Sequence, residues 1–240
     1  MSGQNQRKTA VVTGGTKGIG RAIVEKFLAN KIDVITCSRN EEDLKAFKVE
    51  VQEKYPDARI FVSKVNMAKK SDVMDFIDFI KLTGRKIEIL VNNAGVFIPG
   101  ASHQEEDGML ELMMSTNLYS AYYLSRGIIP GMKEAKNGYI FNICSIASLQ
   151  AYDNGGSYSI SKFALHGFSK ALREELKNYG VRVTSVLPGA TYTASWEGVD
   201  LPEDRFMKPE DVADMVYATY TLQGNTVVED LVMRPQQGDI

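Results

Sequence analysis

Short runs rich in apolar and β-branched residues recur along the chain, at Thr9–Thr13, Asp33–Ser38, Ile60–Val65, Ile89–Asn92, Tyr139–Cys144, Arg182–Leu187 and Asp230–Met233. Most are solidly apolar and do not alternate, as strands covered on both faces do. Between them lie stretches with helical periodicity: Ile19–Asn30, Glu41–Lys54, Ser71–Leu82, Asp107–Met132, Ser157–Tyr179 and Pro209–Leu222. Strand and helix alternate throughout, which predicts an α/β fold: a doubly wound, seven-stranded, mainly parallel sheet with helices on both faces. Ser71 stands where a helix cap is expected, and Pro209, Glu210 and Asp211 suit a first helical turn. No repeat, low-complexity tract or long Pro/Gly/Ser linker divides residues 1–240, so one domain is expected.

Composition narrows the partners more than the fold. With 240 residues and 44% hydrophobic content, the chain can bury a large core as one unit. A net charge of -2 with 24% charged residues gives no electrostatic case for nucleic acid or an acidic membrane surface, so a small molecule is the expected partner. The polar start, Met1 to Lys8, precedes only a short apolar run, and neither a signal peptide nor a membrane span is expected. Cys37 and Cys144, the only cysteines, fall in strand patterns and read as reduced core thiols, which predicts a cytoplasmic protein. His103 and His166 are the only histidines and have no companion ligands at metal-binding spacing, so no metal site is expected.

Candidate chemistry begins directly after the first strand, where Thr13-Gly14-Gly15-Thr16-Lys17-Gly18-Ile19-Gly20 leads into a helix. Glycines there let the backbone approach a pyrophosphate at the positive end of the helix, the device of a Rossmann-type dinucleotide site. The spacing of Gly14, Gly18 and Gly20 departs from the commoner G-x-G-x-x-G. A second strand ending in an acid would grip the ribose hydroxyls of NAD, but this one ends Thr36-Cys37-Ser38-Arg39-Asn40, with no acid before Glu41. Arg39 offers a guanidinium suited to a 2′-phosphate, and Lys17 adds a second cation, so NADP(H) is expected over NAD(H).

Downstream, Tyr158 and Lys162 lie four apart on a predicted helix and so share one face. Such pairs are common on helix surfaces. Here, though, a neighbouring ammonium would favour the phenolate and turn a weak phenol into a usable general acid. Ser145 ends the fifth strand, where ligands of open parallel sheets gather, and can hydrogen-bond a carbonyl oxygen.

Taken in order, Thr13 to Gly20, Asn92-Asn93-Ala94-Gly95, Asn117, Ser145, Tyr158, Lys162 and Pro188-Gly189 resemble the marks of the short-chain dehydrogenase/reductase family. The resemblance covers almost the whole chain. It implies hydride transfer between nicotinamide and a carbonyl or alcohol substrate, with Tyr158 passing the proton and Lys162 also binding the nicotinamide ribose. It further implies a water-holding role for Asn117, support of the cofactor by Asn93, Ala94 and Gly95, and cofactor contacts from Pro188, Gly189, Thr191 and Thr193. Asn66 stands where the family usually has an adenine-touching Asp, and its amide can still donate and accept. Dimers or tetramers are the family's habit, and the long helices carrying Asn117 and Tyr158, apolar on more than one side, suit a homodimer.

Substrate choice is expected in a lid over residues 190–208, which carries Tyr192, Trp196 and Phe206 among acids such as Glu197, Asp200, Glu203 and Asp204. That composition points to a neutral or apolar ketone. The 3-oxoacyl carrier-protein reductases are the nearest well-known group by motif, but their docking arginine aligns with Glu174, beside Arg173. A nucleotide-sensing protein without turnover is the alternative of another kind, and it has no need of Ser145, Tyr158 and Lys162 together.

Overall fold

The computed structural model describes residues 7–193 and 200–239. Seven strands form one sheet in the order β3-β2-β1-β4-β5-β6-β7. They are β1 (Thr9–Thr13), β2 (Asp33–Ser38), β3 (Ile60–Lys64), β4 (Ile87–Asn92), β5 (Gly138–Ile143), β6 (Val181–Pro188) and β7 (Asp230–Met233). Every neighbouring pair is parallel.

Around the sheet run α1 (Gly18–Ala29), α2 (Glu41–Lys54), α3 (Lys70–Leu82), α4 (Met109–Met114), α5 (Ser120–Ala135), α6 (Gly156–Leu176) and α7 (Pro209–Thr221). One face of the sheet is closed by Ile23, Val24 and Phe27 of α1, Phe47 and Val51 of α2, and Val212 and Val216 of α7. The other takes Phe76 and Ile80 of α3, Leu124 and Ile128 of α5, and Leu172 and Leu176 of α6. Because both faces are covered, β1 and β5 are buried at every position, which is why their sequences do not alternate.

Two local expectations change. The helix predicted over 107–132 begins at Met109, runs to Ala135, and is broken by a π-turn over Ser115–Tyr119 that carries Asn117. Ser71 is not a cap: α3 starts at Lys70, after Lys69, so Ser71 lies inside the first turn and its hydroxyl bonds Asp72. Asn40 does cap a helix: its Oδ1 accepts from the backbone N–H groups of Glu42 and Asp43 at the start of α2.

Strand order reverses between β1 and β4, so the loops leaving these two strands part and open a crevice at the carboxyl edge of the sheet.

Candidate active site

Thr13, the last residue of β1, fixes one side of this crevice. Its hydroxyl accepts from the N–H groups of Asn93 and Ala94 at 3.0 and 2.9 Å, while the Asn93 amide donates to the carbonyls of Thr13 and Gly14 at 2.8 and 3.2 Å. The glycine loop is thereby laced to the end of β4. Gly14 adopts φ +65°, and a Cβ on Gly20 would lie 2.3 Å from the Gly14 carbonyl oxygen, so neither position tolerates a side chain. Beside the laced loops lies a cavity of about 380 Å³ lined by Gly14, Lys17, Gly18, Ile19, Gly20, Ser38, Arg39, Asn66, Asn93, Ala94 and Gly95. Cys37, Val65, Met67, Val96, Thr116 and Thr193 complete its described wall.

The charges around that cavity differ in availability. Lys17 pairs with Asp43 at 3.0 Å, whereas among the described residues Arg39 is exposed and has no acidic partner. Thr16 is buried and lines neither this cavity nor the next.

A second cavity of about 630 Å³ adjoins the first and shares Ile19, Asn93, Gly95, Val96 and Thr193 with it. Ser145, Tyr158 and Lys162 meet on its wall, with Pro188, Gly189 and Thr191. Ser145 begins a single 3₁₀ turn after β5, and its Oγ accepts from the Ala147 N–H at 3.1 Å. Its hydroxyl faces the Tyr158 phenol, so the two groups can act on the same substrate oxygen.

Tyr158, on the first turn of α6, packs edge-on against Phe97 with ring centres 4.8 Å apart. Lys162, buried one turn on, donates to the Ile143 carbonyl at 2.8 Å, and its nitrogen is 5.7 Å from the Tyr158 ring centre. Burial lowers the Lys162 ammonium to about 8, opposed by the neighbouring Cys144. Burial likewise raises the Tyr158 phenol, against the pull of the Ser145 hydroxyl. The phenol is thus raised and not lowered in this arrangement, because loss of solvent outweighs the Ser145 hydrogen bond.

Asn117 lies buried on the π-turn Ser115–Tyr119. Its Oδ1 accepts from the Val96 N–H at 2.8 Å, and its Nδ2 donates to the Val96 carbonyl at 3.0 Å and to Ser161 Oγ at 2.8 Å. The side chain is committed to anchoring the loop after β4 against α6 and lines neither cavity.

Sequence reasoning missed much of the larger cavity's wall. Phe97 and Pro99 come from the loop after β4, Gln150, Tyr152, Asp153 and Asn154 from the segment before α6, and Arg234 and Asp239 from the segment after β7. An available signal was the apolar Phe97-Ile98-Pro99 directly after Asn-Asn-Ala-Gly, at the carboxyl end of a strand. From the expected lid, Ala190, Thr191 and Thr193 line the cavity, while Trp196 and Glu197 lie outside the described residues. His166 pairs with Asp230 at 3.0 Å and lines neither cavity.

A glycine-looped crevice at the switch point of a doubly wound sheet, beside a Ser-Tyr-Lys cluster, defines a dinucleotide-dependent oxidoreductase. The family model for short chain dehydrogenase matches residues 8–203, and the chain belongs to that family. It is 32% identical to the sepiapterin reductase of Chlorobaculum tepidum over 244 residues, covering 96% of this chain and 97% of that protein. It is 35% identical to the 3beta-hydroxysteroid dehydrogenase 2 of Eggerthella lenta over 204 residues, covering 83% and 77%. Among solved structures, L-sorbose reductase from Gluconobacter frateurii, complexed with NADPH and L-sorbose, superposes with a TM-score of 0.87 at 26% identity, covering 95% of each chain. A metagenomic short-chain oxidoreductase in complex with NADP gives 0.83 at 28% identity, covering 96% and 98%. No helix among the described residues is long and apolar enough to cross a membrane.

Proposed function

We propose that this chain is an NADP(H)-dependent carbonyl reductase or alcohol dehydrogenase. The observation that carries the reading is the convergence of Ser145, Tyr158 and Lys162 on one cavity continuous with the glycine-loop crevice. The residues fit the cofactor: the loop has no Cβ at Gly14, Gly18 or Gly20 to keep phosphates away, and Arg39, directly after β2, has no acidic partner among the described residues. When bound, the nicotinamide supplies or accepts the hydride. Gly14, Lys17, Gly18, Ile19 and Gly20 would hold the pyrophosphate side, with Thr16 shaping the loop from within. Ser38, Arg39 and Asn66 would hold the adenosine end, and Asn93, Ala94, Gly95, Pro188, Gly189, Thr191 and Thr193 the nicotinamide end.

Ser145 donates to the substrate oxygen and stabilises the charge that develops on it. Tyr158 delivers the proton to the same oxygen in reduction and removes it in oxidation. Lys162 has two ammonium protons beyond the one given to Ile143, available to the phenol and to a ribose hydroxyl. Asn117 acts by holding Val96 and Ser161, the supports on either side of this pocket.

The solved relatives bound to NADP and NADPH support the cofactor, and the reductases and hydroxysteroid dehydrogenases among the relatives support a carbonyl or alcohol substrate. Phe97, Pro99, Ile146 and Tyr152 give the cavity an apolar side suited to a neutral ketone. Carrier-protein-bound 3-oxoacyl thioesters have less support, since Arg173 is tied to Glu229 and Glu174 to Lys177. Association as a homodimer or homotetramer through α5 and α6 is consistent with the exposed Tyr122, Ile160 and Phe163.

The test is a panel of ketones, aldehydes and acyl thioesters followed by NADPH absorbance. Turnover of at least one carbonyl is expected, reduced about 10²–10⁴-fold in Tyr158→Phe with NADPH still bound. Binding of NADPH with no turnover on any compound would instead favour a sensor.

A further inference from the structure

Helix α6 begins without a cap of its own: Gly155 offers no side-chain bond, and the first turn holds no acid. Its leading N–H groups and the positive end of its dipole therefore need an outside partner. Glu105, on the loop between β4 and α4, provides one. The Ser157 N–H donates to Glu105 Oε1 at 2.9 Å, and the Ser157 hydroxyl donates to Oε2.

The fit around this contact is close. A Cβ on Gly156 would lie 2.2 Å from Glu105 Oε1 and 2.3 Å from the Gly100 carbonyl oxygen. The Gly100 N–H in turn donates to the Asn154 carbonyl at 2.9 Å, joining the same loop to the segment that leads into α6. Phe97, also on this loop, packs against the Tyr158 ring. One loop thus grips the phenol from the side and the start of its helix from the end.

We propose that Glu105 is a positioning residue for Tyr158, fixing the first turn of α6 and so the place of the phenol in the cavity. This rests on Tyr158 being the proton donor. Without Glu105 the first turn frays, and Tyr158 is the residue directly after Ser157. Lys162 is one turn deeper and separately held by Ile143. The loss therefore falls on proton delivery and spares cofactor binding, and a displacement of about 1 Å costs on the order of 10²-fold in rate.

Glu105→Ala and Glu105→Gln test it, by amide hydrogen exchange and by kinetics on the best carbonyl of the panel. In Glu105→Ala the Ser157 amide is expected to exchange at least about 10-fold faster with amides beyond Lys162 unchanged, and kcat to fall roughly 10–100-fold while NADPH affinity holds. Glu105→Gln should restore both, since its amide oxygen accepts from the Ser157 N–H and its NH₂ donates to the hydroxyl. Wild-type exchange at Ser157 in Glu105→Ala, or no rescue by Gln, overturns the proposal. Should Glu105→Ala not fold, Ser157→Ala removes only the hydroxyl bond, and an unchanged kcat there with no rescue by Gln overturns it equally. If the wild type turns over no carbonyl, the functional reading fails by itself, and exchange at Ser157 still decides whether Glu105 holds the helix start.

Discussion

The Lys162 ammonium donates to the Ile143 carbonyl oxygen at 2.8 Å, so the last residue of β5 holds the cation that faces the Tyr158 ring. Burial brings this ammonium from its ordinary 10.5 to about 8. Between those values the unfolded chain binds more protons than the folded one, so stability rises with pH across that window. Below it, the folded protein bears the full cost of the buried charge. Lys162→Met is expected to abolish turnover yet raise unfolding free energy near neutral pH by roughly 1–2 kcal/mol, net of the lost bond to Ile143. Urea unfolding near pH 7 and again near 9.5 checks both points. A wild-type rise with pH that persists in the variant would assign it to another group.

Arg39 is expected to carry the choice of nucleotide. Lys17 already has Asp43 at 3.0 Å, so a 2′-phosphate must compete with a carboxylate for that cation, while Arg39 is free among the described residues. Charge-assisted bonds of this kind are worth about 1.5–3 kcal/mol. Arg39→Ala should therefore weaken NADPH about 10–100-fold and leave NADH little changed, whereas Lys17→Ala should weaken NADPH by a smaller factor. Fluorescence titration of both nucleotides distinguishes these outcomes, and equal loss of NADH in Arg39→Ala would remove the arginine from the choice.

Asn117 shows how far a motif speaks for a residue and where it stops. Its position was legible, whereas the bonds of its side chain to Val96 and Ser161 were not. Asn117→Ala should remove the partner of the half-buried Val96 N–H and carbonyl, destabilising the protein by about 1–3 kcal/mol and lowering kcat through both supports at once. Thermal unfolding and steady-state kinetics of this variant read the two effects. A variant as stable as the wild type would mean that solvent replaces the lost bonds.

The strands were legible because burial on both faces leaves unbroken apolar runs, and the glycine loop, Ser145 and Tyr158 because they sit beside strand or helix ends that the same runs define. The π-turn at Ser115–Tyr119 was not, since one extra residue per turn leaves the apolar pattern nearly unchanged. Nor was the cavity wall. Phe97, Tyr152 and Arg234 are far apart in sequence, and only the strand order brings their loops together. The raised Tyr158 phenol was missed for a related reason: spacing reveals a nearby charge, whereas desolvation depends on everything packed around it.

At the amino edge of the sheet, opposite the site, Asp33 opens β2 fully buried and accepts from the Arg59 N–H at 2.9 Å. Arg85 lies 2.9 Å from its other oxygen, with its guanidinium over the Phe61 ring. Removing the arginine leaves a carboxylate with no counter-charge inside the protein, which costs about 3–5 kcal/mol. Removing both charges should cost much less. Arg85→Met is accordingly expected to lower stability by that amount, and adding Asp33→Asn to it to recover at least half of the loss, while kcat per folded molecule stays at the wild-type value in each. Denaturant unfolding of the two single variants and the double variant measures the coupling directly. Additive losses in the double variant would show that the two side chains stabilise the sheet independently and not as a pair.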